Sequence, residues 1–384
     1  VVKPPKISTI KEDKIMTDIL LEELSNSDIQ WLKEIGQLQR VNPDAVLIAQ
    51  QTTANFLYIV MEGNFIATLT RHEGGRLGRA FAALEDNQSL EQEIGQFSSG
   101  EVLGEMTFLD VTPAANTIKA TEESVVLAIP SEELLEKLSQ DFGFASRFYR
   151  AIAMLLLERF QSLVKLYLKR RLGQIAPLQD VPLIFGELND SDVDWMLQKG
   201  HLENIASDTI LISSGEQVEN LYILLQGLVS VFVSESKKNR LSSVFVALET
   251  DDQESSASLG REIGQISKGE ILGEIAALDS HRSYSTIKTL EDCSVLVIPR
   301  QQLLLKLQQD PAMAGRFYRV VAKLLSGRLQ GLISRLGFGK SSYQVGERLT
   351  PDLQYEDELD LDVMDNLSLG GARFDWMLRR LKVS

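Results

Sequence analysis

Most of this chain is written twice. LSNSDIQWL at 24–32 returns as LNDSDVDWM at 188–196, an offset of 164 residues. At that offset Tyr58 falls on Tyr222, Gly63 on Gly227, Phe81 on Phe245 and Leu84-Glu85 on Leu248-Glu249. Further on the offset is 169: Gly100 falls on Gly269, Glu105 on Glu274, and Phe148-Tyr149-Arg150 on Phe317-Tyr318-Arg319. A repeat of that length means two copies of one compact unit in tandem, so whatever folds one copy must fold the other. The copies differ by five residues inserted between Glu249 and Gly264. Insertions of that kind are carried by surface loops.

Each copy runs through the same elements. A short amphipathic helix, Asp192 to Gly200 in copy two, precedes strand-length runs rich in Val, Ile and Leu and broken by single glycines. NLYILLQGLVSVFVS at 220–234 is one such stretch. STIKTLEDCSVLVIP at 285–299 predicts two further strands around an acidic turn at Glu291-Asp292. The residues after it read as helix, with Asp310-Pro311 separating two helices. A helix, many short strands and then helices predicts a mainly β fold, a closed β-roll with flanking helices.

Composition removes several function classes. A formal net charge of −15 repels polyanions, so no nucleic-acid partner is expected. Cys293 is the single cysteine, which excludes an intramolecular disulfide and fits a cytoplasmic location. His72, His201 and His281 are scattered, without metal-ligand spacing. No apolar run reaches the roughly 18 residues of a transmembrane helix. The N-terminus has no signal-peptide pattern, and it opens on Val1 rather than methionine, so the natural start is left unread. There is no Ser/His/Asp set, and GQFSSGEV and GQISKGEI lack the GK[ST] of a P-loop. The chain is therefore expected not to be an enzyme, and no metal or other cofactor is expected.

The repeated residues bear a family likeness. Copy one offers FLYIVMEGNFIATL, SSGEVLGEMTFL and NTIKATEESVVLAIPSEELL; copy two offers LYILLQGLVSVFV, SKGEILGEIAAL and STIKTLEDCSVLVIPRQQLL. Each copy resembles a cyclic nucleotide-binding domain, the jelly-roll (double-stranded β-helix) module of bacterial catabolite regulators, kinase regulatory subunits and gated channels. The resemblance implies two such domains, at 19–168 and 184–340. An N-terminal arm (1–18), a linker (169–183) and an acidic tail with a terminal amphipathic helix (341–384) complete the chain.

The resemblance also implies a ligand, cAMP or cGMP, and a way to hold it. In the family a glutamate after glycine accepts the ribose 2′-OH proton, and backbone N–H groups at the start of a short helix face the phosphate. An arginine nine residues after that glutamate pairs with the phosphate oxygens. Glu105 after Gly104, and Glu274 between Gly273 and Ile275, stand at the glutamate position; Thr117 and Thr286 match a threonine three places after the arginine. The arginine position holds Ala114, followed by Ala115, in copy one and Ser283 in copy two. Losing one partner of a buried ion pair costs about 3–5 kcal/mol, or roughly two to four decades of affinity. Copy one is therefore expected to be degenerate. Copy two is the candidate nucleotide site, because Arg282 stands one place early. The competing reading makes Arg282 a solvated surface residue and both glutamates caps of the short helix that follows.

Function classes narrow accordingly. A DNA-binding regulator would need a basic helix-turn-helix after copy two, and PDLQYEDELDLDVMD at 351–365 is acidic. A kinase regulatory subunit would need an inhibitor segment, and none is apparent near the N-terminus. Two readings stay open. In one, a regulatory protein senses a cyclic nucleotide through copy two and relays it by protein contacts. In the other, a ligand-free scaffold uses the same folds for assembly. Either predicts a protein partner or self-association, and the chain also reads as a regulatory piece of a larger polypeptide.

Two more segments invite expectations. RAFAALE and SVFVALE, inside 70–94 and 234–263, read either as sheet edges offered to a partner or as strands packed on their own module. The repeat also begins a third time at LGGARFDW, 369–376. Phe374, Met377, Leu378 and Leu381 form one apolar stripe with Arg373, Arg379, Arg380 and Lys382 beside it. A helix there is expected to dock on the helices of copy two or of a neighbouring chain, after an acidic tether at 352–365. Peripheral contact with a membrane surface is its other reading.

Overall fold

The structure, a computed structural model, describes residues 18–53, 55–70, 91–110, 114, 116–169, 183–233, 259–278, 282–335 and 361–383. Copy one opens with helices α1 (Asp18–Glu23) and α2 (Asn26–Ile35), followed by strands β1 (Gln37–Val41), β2 (Val46–Ile48), β3 (Phe56–Glu62), β4 (Phe65–Thr70), β5 (Glu91–Phe97) and β6 (Val102–Leu103). Helix α3 (Glu105–Asp110), strands β7 (Thr117–Ala120) and β8 (Ser124–Pro130), and helices α4 (Ser131–Gln140) and α5 (Phe142–Lys169) complete it.

Copy two repeats the order. It has α6 (Leu183–Glu187), α7 (Asp190–Lys199), β9 (His201–Ile205), β10 (Ile210–Ile212), β11 (Asn220–Gln226), β12 (Leu228–Val233), β13 (Arg261–Ser267) and β14 (Ile271–Leu272). Then come α8 (Ile275–Leu278), β15 (Thr286–Thr289), β16 (Cys293–Pro299), α9 (Arg300–Gln309) and α10 (Pro311–Arg335), and the last helix is α11 (Leu361–Leu381). The opening helix of copy two thus starts at Asp190, two residues before the sequence expectation.

Each copy makes two antiparallel sheets, ordered β1-β8-β3-β6 and β2-β7-β4-β5 in copy one, with β9-β16-β11-β14 and β10-β15-β12-β13 in copy two. Apart from the hairpins β4–β5 and β12–β13, strands adjacent in sequence lie in different sheets, β3 and β4 for example, which is the jelly-roll arrangement. Val60, Phe65, Leu103, Val126 and Ala128 fill the space between the sheets of copy one. Their counterparts Leu224, Val229, Leu272, Val295 and Val297 are equally buried in copy two.

The chain divides into two compact units, Val1–Arg159 with Ala322–Glu358 and Phe160–Val321 with Leu359–Ser384. The divisions fall inside α5 and α10, which run as continuous helices; residues 170–182, nearly all of the expected linker, lie outside the described residues.

Within each unit an ion pair ties the opening helices to the closing ones. Ser25 caps α2: its hydroxyl accepts from Asp28 N–H, and its own N–H donates to Asp28 Oδ2 at 2.9 Å. Arg147 of α5 then grips the same carboxylate, Nε to Oδ2 at 2.7 Å and Nη2 to Oδ1 at 3.0 Å. Copy two repeats the grip between Arg316 and Asp192 at 2.6 and 2.9 Å. Burial pushes the Asp28 carboxyl up, but the hydrogen bonds from Arg147 and Ser25 together outweigh it and hold the group below its ordinary value. The hydrogen bond to the paired carboxylate raises Arg147 and Arg316 above theirs.

Helix α11 lies against α6 and α7, so it docks on the opening helices of copy two. Phe374 and Met377 are buried, and Phe374 packs on Phe185 with ring centroids 5.5 Å apart. Arg373 donates to Asp190 Oδ1 at 2.7 Å and to the Phe185 carbonyl at 2.9 Å. The helix begins at Leu361, so the acidic stretch expected as a tether is partly helical. Trp376 is 44 % exposed and takes no part in the buried face. The segments RAFAALE and SVFVALE lie outside the described residues.

Candidate functional site

A glycine sets the site in each copy. Gly104 and Gly273 have φ of +86° and +77°, the left-handed region, where the chain turns from β6 into α3 and from β14 into α8. A Cβ on Gly273 would stand 2.7 Å from the Asn220 carbonyl oxygen, so only glycine lets the turn lie this close to β11. The turn sends the next residue inward. Glu105 and Glu274 are each only 3 % exposed, and Ile275 beside Glu274 is buried as well.

In copy one the carboxylate is held by the protein itself. Arg159 of α5 donates through Nη1 to Glu105 Oε1 and through Nη2 to the Val102 carbonyl. Its guanidinium lies over the Phe97 ring, 4.8 Å from the centroid. Glu105, expected as a cap of the short helix, is the first residue of α3, and its carboxylate accepts from an arginine 54 residues away. Sequence reasoning missed Arg159. One signal was available, since the offset of 169 carries Arg159 onto a second arginine, Arg328.

The segment that should face the phosphate is closed by backbone pairing. Ala114 N–H donates to the Thr52 carbonyl at 2.9 Å, and Gln51 N–H donates to the Ala114 carbonyl at 2.8 Å. Copy two repeats this with Ser283 N–H to the Glu216 carbonyl at 2.8 Å and Gly215 N–H to the Ser283 carbonyl at 2.7 Å. The residues at the arginine position are thus buried and their N–H groups already matched. The Ser283 hydroxyl donates to the Ser285 carbonyl at 2.7 Å. Thr117 and Thr286 accept from Gln50 N–H and Ser214 N–H, each at 3.1 Å, and so brace the same loop.

Arg282 is exposed. Its Nη1 donates to the Gly215 carbonyl at 3.0 Å, and its backbone forms an isolated bridge with Gln217. Tyr284, next in line, packs edge-on against Phe160 of the same unit at 5.7 Å. Ala115 lies outside the described residues. Among the described residues no group of His, Cys, Asp and Glu could hold a metal ion, and no described helix is long and apolar enough to cross a membrane.

The cyclic nucleotide-binding domain family model matches residues 38–141 and again 253–310, once in each copy. The chain carries two cyclic nucleotide-binding domains. The position that the resemblance gives to a phosphate-binding arginine holds Ala114 in one and Ser283 in the other.

Lysophospholipase NTE1 of Saccharomyces cerevisiae is 29 % identical over 135 residues, 35 % of this chain and 7 % of that protein. Lysophospholipase NTE1 of Candida glabrata is 23 % identical over 331 residues, 84 % of this chain and 17 % of that protein. This tandem chain therefore spans less than a fifth of the length of the curated relatives it matches. Among solved structures, the regulatory domain of Toxoplasma gondii PKA with cAMP is 14 % identical, over 76 % of this chain and 89 % of that one, with a TM-score of 0.26. The N-terminal domain of a transcriptional regulator from Streptomyces coelicolor A3(2) is 20 % identical, over 40 % and 95 %, with a TM-score of 0.31. The fold assignment rests on the strand order given above.

Proposed function

We propose that this chain is a non-catalytic regulatory segment of a longer, lysophospholipase-like polypeptide, whose two cyclic nucleotide-binding domains work as protein-contact modules without a nucleotide. One observation carries the reading: the backbone at the phosphate side of each domain is paired to its own loop, through Ala114 with Gln51 and Thr52 and through Ser283 with Gly215 and Glu216. A bound cyclic phosphate needs a cation or free N–H donors in exchange for its water. At these positions the domains offer an alanine and a serine with matched backbone groups. The relatives' name supports a lipid-hydrolysing whole, and the small share of their length supports a part that supplies regulation.

Calorimetric titration of the intact chain with cAMP and with cGMP tests it. The expected result is no saturable heat up to millimolar nucleotide; a site filled at micromolar concentration overturns the reading. The second reading, sensing by copy two, has one observation in its favour. Arg282, one residue from the phosphate position, is exposed, and its guanidinium donates to the Gly215 carbonyl. It expects one site per chain, lost on Arg282→Ala together with Glu274→Ala.

A further inference from the structure

The opening helices of the two copies are fixed to their modules in the same way, yet their exposure differs. The offset of 164 carries Leu21 of α1 onto Phe185 of α6, and Asn26 of α2 onto Asp190 of α7. Arg150 pairs with Glu23 at the end of α1, and Arg319 pairs with Glu187 at the end of α6, 3.2 Å apart. The clamps on Asp28 and Asp192 hold the helix that follows in each case. With the frame repeated, matched positions present the same face. Phe185 is nevertheless fully buried, packed against Phe374 of α11, whereas Leu21 is 46 % exposed. Ile29 is likewise half-buried where its counterpart Val193 is buried.

What α11 brings to copy two shows what would suit copy one. Phe374 meets the ring of Phe185, and Met377 is buried one turn on. Arg373 donates to Asp190 and to the carbonyls of Phe185 and Gly186, at 2.9 and 3.2 Å, in the last turn of α6. A cation there complements carbonyls that the end of a helix leaves without a partner in the next turn. The face of α1 keeps the apolar contact at Leu21 and the matching carbonyls at Leu21 and Glu22. It has Asn26 in place of Asp190, but it adds the exposed carboxylate of Glu22 where copy two has Gly186. The patch is therefore apolar at its centre and anionic at its rim. A leucine exposed singly is ordinary. One whose counterpart anchors a docked helix is an anchor point.

A second copy is a poor occupant. Each chain has one α11, and its tether holds that helix at its own copy two at high effective concentration. Passing it to another chain would exchange an aromatic contact for a smaller one. We propose that the Leu21 face of α1 is the docking surface for a separate partner protein, which lays a cationic amphipathic helix on it. That helix carries an arginine, an aromatic residue next to it and an apolar residue three places on, as Arg373, Phe374 and Met377 stand in α11. The proposal rests on the reading of these domains as protein-contact modules, and it specifies the contact face of copy one.

A labelled peptide of residues 361–384 is the probe, titrated into the intact chain and followed by anisotropy, with hydrogen exchange to locate it. Saturable binding is expected, with slower exchange of the amides at 22–24 and no change at 183–188. Leu21→Glu should weaken binding at least about tenfold, as should Phe374→Ala in the peptide. Leu21→Phe with Asn26→Asp, which copies the face of copy two, should tighten it at least about threefold. Both changes to the chain are at exposed positions, so the fold is not at stake. Binding that ignores Leu21, or that leaves 22–24 unprotected, overturns the proposal. A dimer that Leu21→Glu dissociates overturns it in favour of a second copy, and faster exchange at 22–24 on removing residues 1–17 does so in favour of the N-terminal arm. Calorimetry with 1 mM cAMP separates this face from the reading beneath it. Nucleotide heat with peptide binding intact refutes the nucleotide-free reading alone, and neither heat nor peptide binding refutes the docking face alone.

Discussion

Arg147→Met puts a number on the clamp that joins the two ends of a module. The substitution keeps an apolar stem and deletes two charge-assisted hydrogen bonds to Asp28, at 2.7 and 3.0 Å. Bonds of that kind contribute about 1.5–3 kcal/mol each when shielded. The Arg147 side chain is 39 % exposed and Asp28 keeps its bonds to Ser25, so the expected loss is smaller, about 2 kcal/mol in all. Asp28→Ala also removes the acceptor of Ser25 N–H, the second half of the capping box, worth about 1 kcal/mol more. The coupling between the two sites should be about 1–2 kcal/mol in a double-mutant cycle. Urea unfolding followed by Trp31 fluorescence reads it, in a background of Trp195→Phe and Trp376→Phe. Trp31 lies edge-on to Phe144 at 5.4 Å with Lys137 above it, so its emission reports the packing of α2 on α4 and α5. The sign of the pH dependence follows from Asp28. Its carboxyl is held below the ordinary 3.8, so the contribution is fully present above that value and is lost as pH falls through the lower folded value. The clamp should therefore be insensitive between pH 7 and 5 and fail only in strong acid. Stability within about 0.5 kcal/mol of wild type for Arg147→Met, or strictly additive variants, would refute the reasoning.

Other perturbations have equally definite expectations. Gly273→Ala should cost more than about 2 kcal/mol, since it combines φ +77° with a Cβ 2.7 Å from the Asn220 carbonyl oxygen; a melt that matches wild type would mean the turn relaxes freely. For the last helix, Phe374→Ala with Met377→Ala should free the amides of 370–381 to exchange, as the loss of two buried side chains costs several kcal/mol, roughly 2–5 each. Trp376→Ala should leave the same amides protected, because that ring is 44 % exposed; the opposite pattern would overturn the docking described above.

What was legible in the sequence was whatever the chain repeats. The strands and the break at Asp310-Pro311 follow from periodicity and from glycines seen twice, whereas the two glutamates were singled out by the family resemblance. The missing cation at Ala114 and Ser283 was legible too, as a departure from a known spacing. The backbone closure beside it was not, because a pairing of Gln51 and Thr52 with Ala114 involves no side chain. Arg159 was hidden differently: on an amphipathic helix an arginine reads as a solvated face, and its partner lies 54 residues back. The partial third repeat was legible as a helix that docks on copy two, but its charge pattern differs from that of the first two. LGGARFDW keeps the leucine-to-tryptophan spacing of the earlier helices, but three residues before the tryptophan it has Arg373, where they have Asp28 and Asp192. Those aspartates receive an arginine from their module's closing helix, whereas Arg373 reverses the charge and takes Asp190 of α7. Spacing thus names the helix, and the charge beside it decides which groups the helix meets. The same lesson applies to the site. A conserved-looking Gly-Glu pair names a fold and a turn, and the groups around the carboxylate decide whether it receives a ligand or, as Glu105 does, a side chain of its own chain.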